Sequence, residues 1–190
     1  DVVATGAYGT VRYADGLYGF HVPLGRVGST VTGARASLLE SWFTRPSGPG
    51  SRADFAMAAH ACVTHYTSKS LKLSNHWATP PRLVEAISTA TQADTERFCS
   101  PMNAHPCFGR RYTYRREDAS FGASYDAYSV RFSGSWYMNP EYDAEELTRA
   151  LRWAQASAAS DEAPNFGVAV LPRYPKAGHA GLLARPGTHV

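Results

Sequence analysis

Between Ser135 and Leu171 the chain reads as strand, helix, strand, and that succession constrains the fold more than any other stretch. Ser135 to Met138 has strand character, and Asp143 then opens a helix, with Glu146 three residues on as its capping-box partner. Leu147, Ala150, Leu151 and Ala154 recur at helical spacing and give that helix one apolar stripe. After a polar loop from Ser157 to Pro164, Phe166 to Leu171 (FGVAVL) is an apolar run of strand length, expected to be buried on both faces. Strands alternating with a helix in this way fit an α/β fold with a mostly parallel sheet flanked by helices.

The upstream chain extends the pattern. Thr79-Pro80-Pro81 is a helix start: Thr79 is the expected cap, and proline in the first turn sacrifices no hydrogen bond. Leu83, Val84, Ile87 and Ala90 share one face of that helix, and Thr95 to Cys99 follows as a short strand ended by Ser100-Pro101. Residues 103 to 132 read as loop. Earlier, Ala34 to Phe43 and Asp54 to Val63 read as helices, the latter with Phe55, Ala58, Ala59 and Cys62 on one face. Pro46-Ser47-Gly48-Pro49-Gly50 is the clearest loop between them. Residues 1 to 33 are rich in Gly, Tyr and Val, which suits a hairpin or extended arm. The expected organisation is that arm, 1 to 33, followed by a single domain, 34 to 190.

Composition narrows the class. At 190 residues, 44% hydrophobic and 18% charged, the chain can bury a sizeable core, and no apolar run approaches the roughly 20 residues that span a bilayer. A net charge of +3 is compatible with a polyanionic partner without requiring one. Three cysteines without a C-x-x-C pair indicate neither a disulfide framework nor a zinc site, and His60, His65, His76 and His105 lack metal-ligand spacing. No metal is expected, and a reducing intracellular compartment, nucleus or mitochondrion, is. The chain begins at Asp1, so a preceding segment carrying any targeting signal is removed or not shown.

In an α/β sheet, ligand sites gather at the carboxyl ends of strands. Asn103 and Asn139 both follow expected strands, and Asn139 opens the run Asn139-Pro140-Glu141-Tyr142. That run is similar to the Asn-Pro-Pro-Tyr/Phe signature of enzymes that methylate the exocyclic nitrogen of adenine. Such a nitrogen is a poor nucleophile, because its lone pair is delocalised into the ring. An asparagine oxygen and the next backbone carbonyl can accept its two N–H groups, while an aromatic residue stacks on the base. Asn139, Pro140 and Tyr142 supply those three elements. Glu141 stands where the signature has proline and brings a negative charge to the loop.

The surroundings add order and spacing. Phe98-Cys99-Ser100-Pro101-Met102-Asn103, Ser120-Phe121-Gly122-Ala123-Ser124, Ser133-Gly134-Ser135-Trp136, Asn139 to Tyr142 and Glu145-Glu146-Leu147 follow one another. As a set, across roughly residues 75 to 174, they resemble the methyltransferase domain of the phosphorylated-CTD-interacting-factor family, the cap-specific adenosine N6-methyltransferases. The resemblance implies a Rossmann-like class I methyltransferase fold and S-adenosylmethionine as methyl donor. It places Ser100, Pro101 and Asn103 in the loop lining the donor pocket, and Asn139, Pro140, Glu141 and Tyr142 on the adenine-holding motif. Arg110, Arg111, Arg115 and Arg116, interleaved with Tyr112 and Tyr114, are candidates to grip RNA.

Three departures from the family pattern stand beside the match. Glu141 replaces proline, Asp143-Ala144 stands in place of a single residue, and the further strands of a methyltransferase sheet are absent or lie outside this chain. Together they shift the expectation towards a weakly active or inactive pseudoenzyme, kept as a structural or RNA-contacting subunit of a larger assembly such as an organellar ribonucleoprotein. An active RNA adenosine N6-methyltransferase and an unrelated α/β binding module are the alternatives.

Overall fold

A computed structural model describes residues 9–12, 17–21, 30–43, 52–70, 78–159, 165–172 and 180–183. The Pro46 to Gly50 loop, His76 and residues 160–164 of the expected polar loop lie outside the described residues. The chain divides into two compact units, one of Asp1–Leu73, Ser100–Met102 and Arg115–Ala123, the other of Ser74–Cys99, Asn103–Tyr114 and Ser124–Val190.

In the first unit, strands β1 (Gly9–Arg12), β2 (Leu17–His21) and β3 (Thr30–Thr32) form an antiparallel meander with β2 central. The expected Gly/Tyr-rich hairpin is thus part of a small sheet. Helix α1 (Gly33–Trp42) starts at Thr32, whose hydroxyl accepts the Arg35 N–H at 3.3 Å and so satisfies one open donor of the first turn. Helix α2 (Arg52–Ser70) runs well past the expected end at Val63. Tyr66 packs against the unit's core, and the Thr67 hydroxyl donates to the Val63 carbonyl at 2.7 Å, so polar residues extend the helix where the apolar stripe fades. Leu39, Phe55, Ala59, Cys62 and Val63 bury their side chains with Phe121 of a 3-10 turn, Arg116–Phe121.

The second unit has a Rossmann-like architecture. Strands β4 (Thr95–Cys99), β5 (Arg110–Thr113), β6 (Ser124–Tyr125), β7 (Gly134–Met138) and β8 (Asn165–Ala169) pair in the order β6-β5-β4-β7-β8, every pair parallel. Helices α3 (Pro81–Thr91), α4 (Ala144–Ala158) and α5 (Ala180–Leu183) belong to it. The two-residue period of β7 divides the core between the faces of the sheet. Trp136 and Met138 pack with Ala150, Leu151 and Ala154 of α4, while Tyr137 packs with Val84 of α3 and stacks on Phe108 at 5.4 Å. The apolar stripe of α4 is buried as expected.

Several expectations are corrected. Residues 103 to 132 are not continuous loop: they contain β5, β6 and the 3-10 turn. Strand β5 reads RRYT, so its arginines mask the apolar alternation, and pairing with β4 holds it in place. Strand β8 is not buried on both faces. Phe166 is 57% exposed, and among the described residues β8 is an edge with β7 as its one neighbour. Pro80, not Thr79, stands at the N-cap of α3, which has no side-chain cap, and the Thr79 hydroxyl instead accepts from the Tyr137 hydroxyl at 2.6 Å. Leu83 is 47% exposed, leaving Val84 and Ile87 as the helix's inward contacts. Ser157 belongs to α4: its hydroxyl donates to the Trp153 carbonyl at 2.7 Å and accepts the Phe132 N–H at 3.1 Å. No helix among the described residues is long and apolar enough to cross a membrane.

Candidate functional site

Strands β4 and β7 are neighbours, and the chain leaves them in opposite directions: β4 leads to β5 and β6, β7 leads to β8. Such a reversal opens a crevice beyond the carboxyl ends of the two central strands, where ligands of open α/β sheets bind. Asn139 is the first residue past β7. It is half-buried, Pro140 is buried, Glu141 is exposed and Tyr142 is half-buried. The register Arg97↔Met138 brings the end of β4 beside them.

Both flanks of this segment are anchored. Upstream, the Val170 N–H donates to the Met138 carbonyl at 2.9 Å. Downstream, the Asp143 carboxylate accepts from the Glu145 and Glu146 N–H groups at 3.0 and 3.1 Å, so Asp143 serves as the helix cap. The reciprocal half of the expected capping box is not made. The Glu146 carboxylate reaches into the sheet, where the Tyr114 hydroxyl donates to it at 2.7 Å and the Tyr128 hydroxyl donates to the same oxygen. Glu146 thereby ties the first turn of α4 to the residue following β5 and to the segment between β6 and β7.

Phe98 completes the cluster. Its ring stacks on Tyr114 at 5.2 Å and contacts Tyr128 at 5.1 Å. It has φ of 62°, in the left-handed region rarely adopted by an aromatic residue, and the β4–β5 register shifts at the same place. The irregularity re-aims the chain as it leaves β4, a common device beside binding sites.

Burial, with the Glu146 carboxylate as the next cause, pushes the Tyr114 and Tyr128 phenols well above their ordinary range, and Glu141 adds to the effect at Tyr114. Tyr137 is raised mainly by burial, and Tyr66 by burial and by Asp118, which accepts its hydroxyl at 2.5 Å. In the unfolded chain a phenol ionises near pH 10. Between that value and the raised native values the folded protein holds more protons, so this stabilisation is complete below pH 10 and declines as pH rises above it. Alkaline titration should therefore show these four tyrosines ionising only as the fold is lost. A single tyrosinate absorbance step near pH 10 with circular dichroism unchanged would contradict it.

The residues expected to hold S-adenosylmethionine are divided. Ser100 and Pro101 are buried in the first unit, where the Arg35 guanidinium donates to the Pro101 carbonyl at 3.2 Å. Asn103 belongs to the second unit, is exposed, and lies four residues past β4. The arginines divide as well. Arg110 sits at the amino end of β5, away from the crevice end, ion-paired with Asp94 at 2.7 Å. Arg111 is half-buried, which lowers its pKa. Tyr112 turns its ring onto Arg97, whose guanidinium is 4.0 Å from the ring centroid and 4.5 Å from that of Phe132. Arg97 is only 3% exposed, and burial lowers its pKa. Arg115 and Arg116 belong to the first unit. There Arg115 lies over the Tyr66 ring at 5.7 Å and 3.5 Å from the Glu117 carboxylate, while Arg116 is exposed.

The sequence also missed two clusters. Glu146 with Tyr114 and Tyr128 joins residues 18 and 32 positions apart, beyond the reach of any local pattern. His105 lies with Nδ1 2.9 Å from the Cys107 sulfur and Nε2 3.6 Å from the Glu85 carboxylate. Burial, opposed by Ser88 and reinforced by Glu96 and Glu85, raises the Cys107 thiol, which disfavours a nucleophilic thiolate there. No family model and no curated protein matches the chain.

Proposed function

We propose that the second unit is a divergent S-adenosylmethionine-dependent adenine-N6 RNA methyltransferase domain, weakly active or inactive, kept as a structural and RNA-contacting subunit. The observation that carries this reading is the position of Asn139-Pro140 just past the carboxyl end of β7, next to β4, at the point where the strand order reverses. An adenine held there has the Asn139 side-chain amide and the Pro140 carbonyl to accept its amino protons, and Tyr142 to stack on its ring.

The residues present suit the donor's charge. Glu141 and Glu146 both act on the Tyr114 hydroxyl, so negative charge gathers at this end of the sheet, where it complements a sulfonium and an ammonium group. Asn103 offers a donor and an acceptor to the polar end of the molecule. S-adenosylmethionine, when bound, supplies a methyl group already activated by the positive sulfur. The chain's contribution is orientation: Asp143 and Glu146 set the first turn of α4, and that turn sets the loop bearing the acceptors.

The active-enzyme reading has an observation of its own. Glu141 is exposed and Asp143 serves as a helix cap, so neither residue takes the place of Asn139 or the Pro140 carbonyl as an acceptor. Calorimetry with S-adenosylmethionine tests both readings. Micromolar binding with methyl transfer to adenosine-containing RNA supports the enzyme, and transfer that appears only in Glu141→Pro supports the disabled site. No binding at millimolar ligand would sink the donor assignment.

A further inference from the structure

The outer face of α4 carries a groove of about 670 Å³, lined by residues other than those of the Asn139 to Tyr142 loop. Glu145, Thr148, Arg149, Arg152 and Trp153 of the helix line it, together with Arg131 from the segment before β7. Helical geometry explains the row: positions 145, 149, 152 and 156 recur on one side, opposite the buried stripe of Leu147, Ala150, Leu151 and Ala154. At 1.5 Å per residue the row is about 16 Å long.

Two features make this face unlike an ordinary solvated helix surface. The three guanidinium groups are outside every ion pair among the described residues, so the groove holds three cations against the single carboxylate of Glu145. Two of the cations are also held over aromatic rings, Arg131 over Trp153 at 4.4 Å and Arg149 over Tyr128 at 3.8 Å. The Trp153 indole is itself fixed by donating to the Val130 carbonyl at 3.2 Å. The surface is therefore cationic and flat-walled.

We propose that this groove binds the phosphodiester backbone of single-stranded RNA, with bases lying against the Trp153 and arginine planes. Each nucleotide brings both an anion and a flat apolar face, which matches guanidinium groups set among an aromatic ring and alanine methyls. An acidic peptide brings the anion on a flexible side chain without the face. The groove starts in the first turn of α4, immediately after Asn139 to Tyr142, so a strand lying in it leads to that loop. The inference deepens the RNA-contacting part of the proposed function and rests on it, but it needs no methyl transfer.

The test measures binding of a fluorescent single-stranded oligoadenylate and of an oligoglutamate peptide to the wild type, to Arg149→Glu/Arg152→Glu and to Asn139→Ala. Thermal melting verifies that each variant is folded. Expected are a loss of RNA affinity of tenfold or more in the double variant and a salt-dependence slope smaller by about 1.4, the value for two contacts on a single strand. Arg131→Ala, which removes one cation without reversing charge, should give an intermediate loss. Undetectable RNA binding by the wild type, equal affinity and slope in the double variant, or peptide binding that is lost while RNA binding is unchanged would each overturn the proposal. RNA affinity lost only in Asn139→Ala would overturn it too, by placing RNA at the loop alone. Calorimetry with S-adenosylmethionine on Arg152→Glu, a lining cation with no ring contact to the Glu146 cluster, separates the two proposals, since donor binding should be unaffected by that change.

Discussion

Glu146→Ala is expected to destabilise the protein by about 2–6 kcal/mol, since it removes the shared acceptor of two largely buried tyrosine hydroxyls at roughly 1–3 kcal/mol each. Tyr114 and Tyr128 both donate to the one Glu146 oxygen, and the rings of both contact Phe98. Neither hydroxyl can swing into water without breaking those ring contacts. For a chain of this size the loss corresponds to a melting temperature lower by on the order of 10 °C. Glu146→Gln keeps an acceptor oxygen and should lose much less. Removing all three polar groups at once, in Tyr114→Phe/Tyr128→Phe/Glu146→Leu, should recover part of the loss, because no buried donor is then left without its acceptor. Calorimetric melting of the set checks the ordering. If Glu146→Ala melts with the wild type, the carboxylate does not anchor α4.

Gly167→Ala should cost about 2–3 kcal/mol, for a reason of shape. Gly167 pairs with Trp136 across β7 and β8, and a Cβ there would stand 2.2 to 2.3 Å from three carbons of the indole. The ring has little room to yield. Trp136 is buried, meets Phe132 edge-on at 5.0 Å, and donates from Nε1 to the Asn165 oxygen at 2.5 Å. Relieving the clash costs overpacking strain and that hydrogen bond, while alanine's better strand entropy returns only about 0.5–1 kcal/mol. The expected fall in melting temperature is roughly 4–12 °C. Adding Trp136→Val opens the space, so Gly167→Ala should cost far less in that background. Equal costs in the two backgrounds would show that the contact does not govern the site.

The elements that were legible in the sequence are those whose signal is local. Leu147, Ala150, Leu151 and Ala154 announce α4, and Asp143 announces its cap, because helix periodicity and capping involve residues within one or two turns. The position of Asn139 after a strand was equally plain. Strand β5 was not, because Arg110 and Arg111 carry no apolar alternation and the strand exists through its pairing with β4. Nor was the fate of the arginines. Read as one cluster, they fall at opposite ends of a strand and in different units, while Arg131, Arg149 and Arg152, outside the ion pairs of the described residues, line the groove beside α4 from positions with no shared motif.

Glu146 marks the boundary between the two kinds of information. Sequence alone determined that a helix begins at this point, since a carboxylate three residues after Asp143 and an apolar stripe suffice for that. It also determined that Asn-Pro-Glu-Tyr stands between a strand and that helix. Only the tertiary structure decided that the carboxylate turns away from its own helix end to two tyrosines, and that Asn139 lies where the strand order reverses. Both facts depend on contacts between residues far apart in the chain, whose free energy is gained only after the sheet has assembled. No run of neighbouring residues carries that term.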